Sequence, residues 1–225
     1  MPHREIVING VGCPSVTQVL GLLDKPFLYR WYADLGWEKA ELQKKTAQER
    51  GERFHKAVED VFKNGIEPKP EDADIYEPVN CVRKWAKDKF FCKECEITVK
   101  SSNYMYGGTF DAVGEIDGNL TIVDWKLTSR IADTYVLQLA AYAQAWFEEK
   151  GTLIDYGRVV RPYTLLKPAK ETSVKETTDG YKYSFEGSKV YIEEKQYTNL
   201  KHYLDVFLDL RDVWDFLNKK GMWEK

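Results

Sequence analysis

Asp111, Asp124 and Lys126 have the types and spacing that most directly suggest chemistry. Gly107-Gly108-Thr109-Phe110-Asp111 precedes an Asp117-Gly118 turn signal, and Asp124-Trp125-Lys126 follows it. The two carboxylates therefore fall on consecutive strands and can meet across an antiparallel pair. Lys126 stands two residues past Asp124, and the strand period of 2 puts acid and amine on one face. Two acids beside an ammonium can hold a divalent cation while keeping positive charge near a phosphate. That is the requirement of phosphodiester hydrolysis, in which a bound cation lowers the pKa of water from ~15.7 and a lysine stabilises developing charge. Taken alone, an Asp-x-Lys pair is usually a solvated surface ion pair. The reading depends on what else is brought to the same place.

Three further groups qualify. Gly51 and His55 are i and i+4 inside a helical stretch and share one face. A glycine inside a helix costs about 0.5–1 kcal/mol relative to alanine, so a close approach of another backbone at Gly51 is expected. His55, one turn on, then points into the same crevice, and imidazole is a good ligand for Mn²⁺-like ions. Gln138 and Tyr142 are likewise i and i+4 on a later helix, on the face that can cover the strand ends. Glutamine can hold a phosphate or a water, and tyrosine can hydrogen-bond or stack on a base. Each of these pairs has a bland reading of its own: a surface histidine beside an incidental glycine, and a polar stripe with a half-buried tyrosine.

The elements that must position these groups can be read from periodicity. Helices are predicted over 15–23 with Ser15 as cap, from Pro26 to near Gly36, over 38–64 closing at Gly65, and over 75–91. The period then changes from 3.6 to 2. Strands are predicted over 96–99, 108–116 and 120–125, followed by a helix over 134–150 that stops at Gly151 and a strand over 156–166. Residues 167–179 read as a loop, 181–185 and 189–193 as a hairpin, and 197–219 as a final amphipathic helix. The order gives one α/β domain over 1–225: a helical N-terminal part (about 1–93), a catalytic sheet core (about 94–166), and a C-terminal hairpin and helix (about 180–220).

Bulk properties narrow the class. With 225 residues, 43% hydrophobic and 31% charged, the chain has the balance of a globular protein and can bury a real core. No apolar run reaches membrane-spanning length, and residues 1–4 show neither an h-region nor an Arg/Ser-rich presequence, so the cytoplasm is expected. A net charge of −3 excludes a uniformly basic surface but leaves room for a local basic channel beside acidic metal ligands. Cys92-x-x-Cys95 has metal-ligand spacing, yet Cys13 and Cys81 are distant in sequence, and reduced, unpaired thiols are the simpler expectation. Lys44, Lys45, Arg50, Arg53 and Lys56 form a basic stretch that reads mostly as a solvated face. Phe27, Tyr29, Arg30, Trp31, Tyr32 and Trp37 could wall a channel for unpaired bases, with Phe27 and Trp31 expected in the core. Nothing resembles a helix-turn-helix or zinc-finger reader.

Gly51-x-x-x-His55, Gly108-x-x-Asp111, Asp124-x-Lys126 and Gln138-x-x-x-Tyr142 occur in the order and rough spacing of RecB-type nuclease domains of the PD-(D/E)XK superfamily. The resemblance covers roughly 14–146, and mitochondrial, phage and bacterial exonucleases are among the members that it is most like. The stretches Tyr106–Val113 and Ile122–Ser129 are its most specific part, and Ser15-Val16-Thr17 resembles an S-x-T element near the start of such proteins. The resemblance implies a restriction-endonuclease-like core, a central mixed sheet flanked by helices. It implies metal ligation by His55, Asp111, Asp124 and the Trp125 carbonyl, catalysis by Lys126, and support from Gln138 and Tyr142. A glutamate on the preceding strand is also implied, with Glu96 preferred over Glu94. Expected cofactors are one or two Mg²⁺ or Mn²⁺ ions. No cysteine follows Cys95, so the three-Cys C-terminal iron–sulfur pattern of some relatives is not expected. The expected substrate is DNA, single-stranded or with free ends, contacted by Ser15, Thr17, Arg30, Arg53 and Arg130, in the cytoplasm of a bacterial or phage-infected cell. No membrane is expected, and no protein partner is implied. The alternatives are a structure- or sequence-specific endonuclease with the same centre and a non-catalytic nucleic-acid-binding module.

Overall fold

The computed structural model describes residues 6–23, 25–70, 72–178 and 180–218. Strands β1 (Ile6–Ile8) and β2 (Val11–Cys13) form a small antiparallel hairpin that periodicity did not indicate; three-residue strands are too short to show alternation. Helices α1 (Val16–Leu20), α2 (Pro26–Leu35), α3 (Trp37–Asn64) and α4 (Ala73–Ala86) follow. Gly65 closes α3 in the left-handed region at φ +63°, as its position after the apolar stripe predicts. The fourth helix stops at Ala86 rather than 91, because Phe91 already opens the next strand.

That strand, β3 (Phe91–Ser101), is 11 residues long, far beyond the predicted 96–99. It pairs antiparallel with β4 (Tyr106–Ile116), which pairs antiparallel with β5 (Asn119–Trp125). Helix α5 (Tyr135–Lys150) crosses over to β6 (Tyr156–Thr164), the parallel neighbour of β5. The segment predicted as a loop contains β7 (Ser173–Thr177), which pairs with β8 (Gly180–Ser184), while β8 in turn pairs with β9 (Val190–Tyr197). Its alternating Ser/Val/Lys/Glu/Thr composition is polar enough to read as a loop; the ladder to β8 makes it an edge strand. Helix α6 (Leu200–Asn218) ends the described chain; Asp179 of the predicted loop and Lys219 of the predicted helix lie outside the described residues, as do residues 1–4.

The result is a seven-stranded mixed sheet, order β3-β4-β5-β6-β9-β8-β7, between two helical layers. On one face α1, α5 and α6 bury Val16, Val19, Leu139, Ala141 and Phe207 against Phe110, Val113 and Ile122. On the other, α3 and α4 bury Phe54, Val58, Val79, Val82 and Trp85 against Ala112, Val123 and Trp125. Helix α2 buries none of its residues: Phe27 is 54% exposed and Tyr29 67% exposed, so Phe27, expected in the core, is not there, and Trp31, expected there too, is only half-buried. No described helix is long and apolar enough to cross a membrane.

Candidate active site

The register of the sheet brings the acids together. Ala112 lies opposite Val123, so the next pair outward is Asp111 and Asp124; Cys95 lies opposite Ala112 and Ile97 opposite Phe110, so Glu96 faces Asp111. Three carboxylates thus form a row across β3, β4 and β5. At this row the strands depart from regular alternation. Ile97 and Phe110 face the α5 layer, whereas Cys95 and Ala112, two residues away on the same strands, face the α3–α4 layer. Residues two apart in a regular strand share a face, so both strands slip by one at Glu96 and Asp111. Glu96 adopts φ +51° there, a left-handed conformation uncommon for a residue other than glycine.

The slip frees Asp111 to bond elsewhere. One of its oxygens lies 3.0 Å from Nδ1 of His55 on α3, and the other accepts the main-chain N–H of Trp125 at 2.7 Å. The Asp111 carboxylate thus replaces a ladder bond where β4 and β5 part. In a strand, a residue's N–H and C=O point to the same neighbour, so the Trp125 carbonyl is directed to this opening as well. The indole of Trp125 stacks on Phe62 and meets Trp85 and Phe90 edge-on, which anchors the end of β5 in the opposite layer.

Asp124 is buried, and one of its oxygens accepts from Lys126 Nζ at 2.8 Å. The second oxygen is buried with no hydrogen-bond partner. Lys126, its side chain 16% exposed, also lies over the ring of Tyr135 at 4.9 Å, a contact that no sequence motif signals. The ligand atoms of His55, Glu96 and Asp111 lie within 4.8 Å of one another; Asp124 stands beside this trio, turned toward Lys126. Glu94 is exposed and outside the cluster.

Electrostatics follow from this crowding. Burial, with Asp111 nearby, pushes the Glu96 carboxyl up to about 7. Burial likewise pushes Asp124 up to about 6, although Lys126 opposes it. Burial alone would raise Asp111 too, but the adjacent His55 holds it below the usual carboxylate range. Burial opposes the charge on His55 and Lys126, and the surrounding acids more than offset it, so both are raised. The site is a set of acids that burial and mutual repulsion leave short of positive charge.

The remaining predicted residues divide. Gly108 faces α5: a Cβ there would stand 2.9 Å from the Tyr142 ring, so glycine is required for that contact. Tyr142 is only 2% exposed, packs on Phe110 and bonds to Gln138. It has no free face for a base, which corrects the stacking expectation, while its hydroxyl lies within electrostatic range of Lys126, Asp124 and Asp111 on the α5 side of the sheet. Gly51 also differs from expectation, since a Cβ there would meet nothing within 4 Å; no close backbone approach accounts for it. Ser15 caps α1, accepting from the Gln18 N–H at 3.1 Å while its own N–H donates to the Gln18 side chain, and it forms a bridge to Gly107 at the start of β4. Arg53 is engaged by Asp74 of α4. Thr17 and Arg30 are exposed, and Arg130, also exposed, lies 5.0 Å over the ring of Phe27. Lys44, Lys45 and Lys56 pair with acids one turn away, the solvated face that was expected.

Sequence reading missed Arg161. It is buried on β6 and donates to the carbonyls of Thr128 (3.0 Å) and Ser129 (2.7 Å) and to Glu193 of β9. It fixes the loop that leaves Lys126. A charged residue inside the apolar run Val159-Val160-Arg161 was the available signal.

A mixed sheet with helices on both faces, carrying three acids, an imidazole and a buried lysine where two strands part, is compatible with a nuclease-like core. Comparison with known proteins points the same way. The chain is similar to mitochondrial genome maintenance exonuclease 1 of Xenopus tropicalis, 31% identical over 162 residues, covering 64% of this chain and 46% of that protein. It is 28% identical over 149 residues to mitochondrial genome maintenance exonuclease 1 of Homo sapiens, covering 59% of this chain and 43% of that protein. The chain therefore spans less than half the length of these curated relatives. No family model matches it. The similarity supports a nuclease.

Proposed function

We propose that this chain is a metal-dependent DNA nuclease of the PD-(D/E)XK type, acting as an exonuclease on single-stranded DNA or DNA ends. The observation that carries this reading is the acid row Glu96–Asp111–Asp124 at the parting of β4 and β5, with His55 on Asp111 and Lys126 on Asp124. The residues fit a hard divalent cation. Their donor set is carboxylate oxygen plus one imidazole, and the unpartnered buried oxygen of Asp124 is the kind of atom that a cation satisfies. His55, Glu96, Asp111, Asp124 and the Trp125 carbonyl would hold one or two Mg²⁺ or Mn²⁺ ions. A bound ion supplies Lewis acidity at a phosphoryl oxygen and acidifies water.

The chain's own groups do the rest. Lys126, kept charged by Asp124 and Asp111, meets the scissile phosphate and orients the attacking water. Gln138, bonded to the Tyr142 hydroxyl beside Lys126 and Asp124, supports the site from α5, and Arg161 keeps the loop after Lys126 in place. Arg130, Arg30 and Thr17 are exposed and would meet the DNA backbone, and Phe27 and Tyr29, also exposed, would meet unpaired bases. Ser15 is committed to the cap of α1 and Arg53 to Asp74.

The test is digestion of end-labelled single- and double-stranded DNA with Mg²⁺ or Mn²⁺, beside a covalently closed circle. Stepwise loss from the ends with an intact circle is expected. A cut circle replaces the exonuclease reading with an endonuclease, and undiminished cleavage in excess chelator ends the metal mechanism.

A further inference from the structure

The Cys92-Lys93-Glu94-Cys95 segment has no part in the chemistry above, yet its geometry is specific. Residues i and i+3 of a regular strand point to opposite faces. Here the register shifts between Cys92, opposite Gly114, and Glu94, opposite Val113, so Lys93 is the extra residue of a bulge. The bulge turns both cysteines toward the α3–α4 layer. Gly114 makes room for it: a Cβ there would stand 2.3 Å from the Phe91 carbonyl oxygen and 2.9 Å from the Cys92 Cα. The two sulfurs lie 2.9 Å apart, and a closure of about 0.9 Å reaches the ~2.05 Å of a disulfide. A soft-metal site would need further ligands. Among the described residues, the one cluster of three or more possible ligands is His55, Glu96 and Asp111.

We propose that Cys92 and Cys95 are a reversible dithiol–disulfide centre, closed by small disulfides such as oxidised glutathione, and that closure shifts the seat of Glu96. Cys92 is half-buried and Cys95 buried, which assigns the order. The Cys92 sulfur attacks one sulfur of oxidised glutathione, forming a mixed disulfide and releasing one reduced glutathione. The Cys95 sulfur then attacks the Cys92 sulfur, forming the internal disulfide and releasing the second. Two protein thiols are oxidised, one glutathione disulfide is reduced, and the protons pass to the departing thiolates. Cys95 is bonded directly to Glu96, which holds φ +51° where the strand has slipped. Drawing Cys95 toward Cys92 pulls on the strand at the point where Glu96 faces Asp111. This second clause rests on the proposed metal site for its consequence, although not for its occurrence.

The experiment uses the full chain with Cys13→Ser, to prevent bridges between chains. It is equilibrated without metal in graded ratios of reduced and oxidised glutathione, then analysed by intact mass and peptide mapping. Loss of two hydrogens, located to one peptide carrying both cysteines and reversed by dithiothreitol, is expected. Cys95→Ala should stop at a glutathione adduct on Cys92, and Cys92→Ser should form neither. Thiols that stay free at ratios that oxidise dithiothreitol itself overturn the centre. Mn²⁺ titration by calorimetry should then show about tenfold weaker binding to the oxidised form; equal affinity overturns the coupling to Glu96. If the reduced protein binds no Mn²⁺, the metal reading has failed by itself. Amide hydrogen exchange over 94–98 then decides the coupling, with unchanged protection on oxidation overturning it.

Discussion

Lys126 sits between Asp124 and the ring of Tyr135, and that placement sets what its removal should do. A protonated amine cannot ligate a metal, so Lys126→Ala should leave Mn²⁺ binding standing while single-turnover cleavage falls by about 10²–10³, the usual cost of losing a well-placed donor. Calorimetry and a cleavage time course on the same variant check this; lost Mn²⁺ affinity with near-normal turnover at saturating Mn²⁺ would make Lys126 an organiser of the site instead. Two glycines of the recognised motifs make a contrasting pair. Gly108→Ala drives a methyl into the Tyr142 ring and should cost about 1–3 kcal/mol, read as a lowered denaturation midpoint. Gly51→Ala meets open space inside a helix and should raise stability by about 0.5–1 kcal/mol. A destabilised Gly51→Ala would show that the helix there is not as open as it stands.

Between elements, Glu194 of β9 is the principal polar joint. Its side chain is 0% exposed and accepts from Trp85 of α4 at 2.8 Å, with Lys89 and Arg158 of β6 as ion-pair partners. Burial would raise its carboxyl, but Arg158 and Lys89 outweigh burial and hold it below the usual 4.5. The sign follows: a depressed acid stabilises the fold fully above its unfolded value and loses that contribution as pH falls through the folded one. Stability should therefore drop below about pH 4.5. Glu194→Gln, leaving Arg158 buried without its counter-charge, should cost about 3–5 kcal/mol near neutrality and flatten the acid limb of the stability–pH curve. Chemical denaturation at several pH values tests both. This joint was not legible in the sequence, because Glu193-Glu194 reads as two solvent-facing charges until the sheet order places β9 between β6 and β8.

Across the molecule, the proposed ligands come from α3 in one helical layer and from β3, β4 and β5 of the central sheet. A cation bound there ties those layers together and binds only the folded state. Ca²⁺ at about a hundred times its dissociation constant should then add about 2.7 kcal/mol to stability while supporting little turnover. Thermal denaturation with Ca²⁺, Mn²⁺ and chelator measures it. A midpoint indifferent to all three would remove the cation from the site, and Asp124→Ala should fold yet lose both the Ca²⁺ shift and the cleavage.

Legible in the sequence alone were helices α1, α2, α3 and α5, the turn at Asp117-Gly118, and the candidates for the reacting groups. These depend on local periodicity, capping and spacing, and i, i+4 or i, i+2 relations need no distant contact. The sequence also favoured Glu96 over Glu94, and the slipped strand brings Glu96 to Asp111. The length of β3, the strand status of β7, the burial of Tyr142, the exposure of Phe27 and the anchoring by Arg161 came from packing. Each is settled by a partner far away in the chain: a ladder neighbour, a facing glycine, or a missing layer over α2. A strand of polar residues becomes a strand because its edge is paired, and a charge becomes an internal joint because its counter-charges are brought to it. Periodicity records which way a side chain points along its own element, while packing alone records what stands opposite.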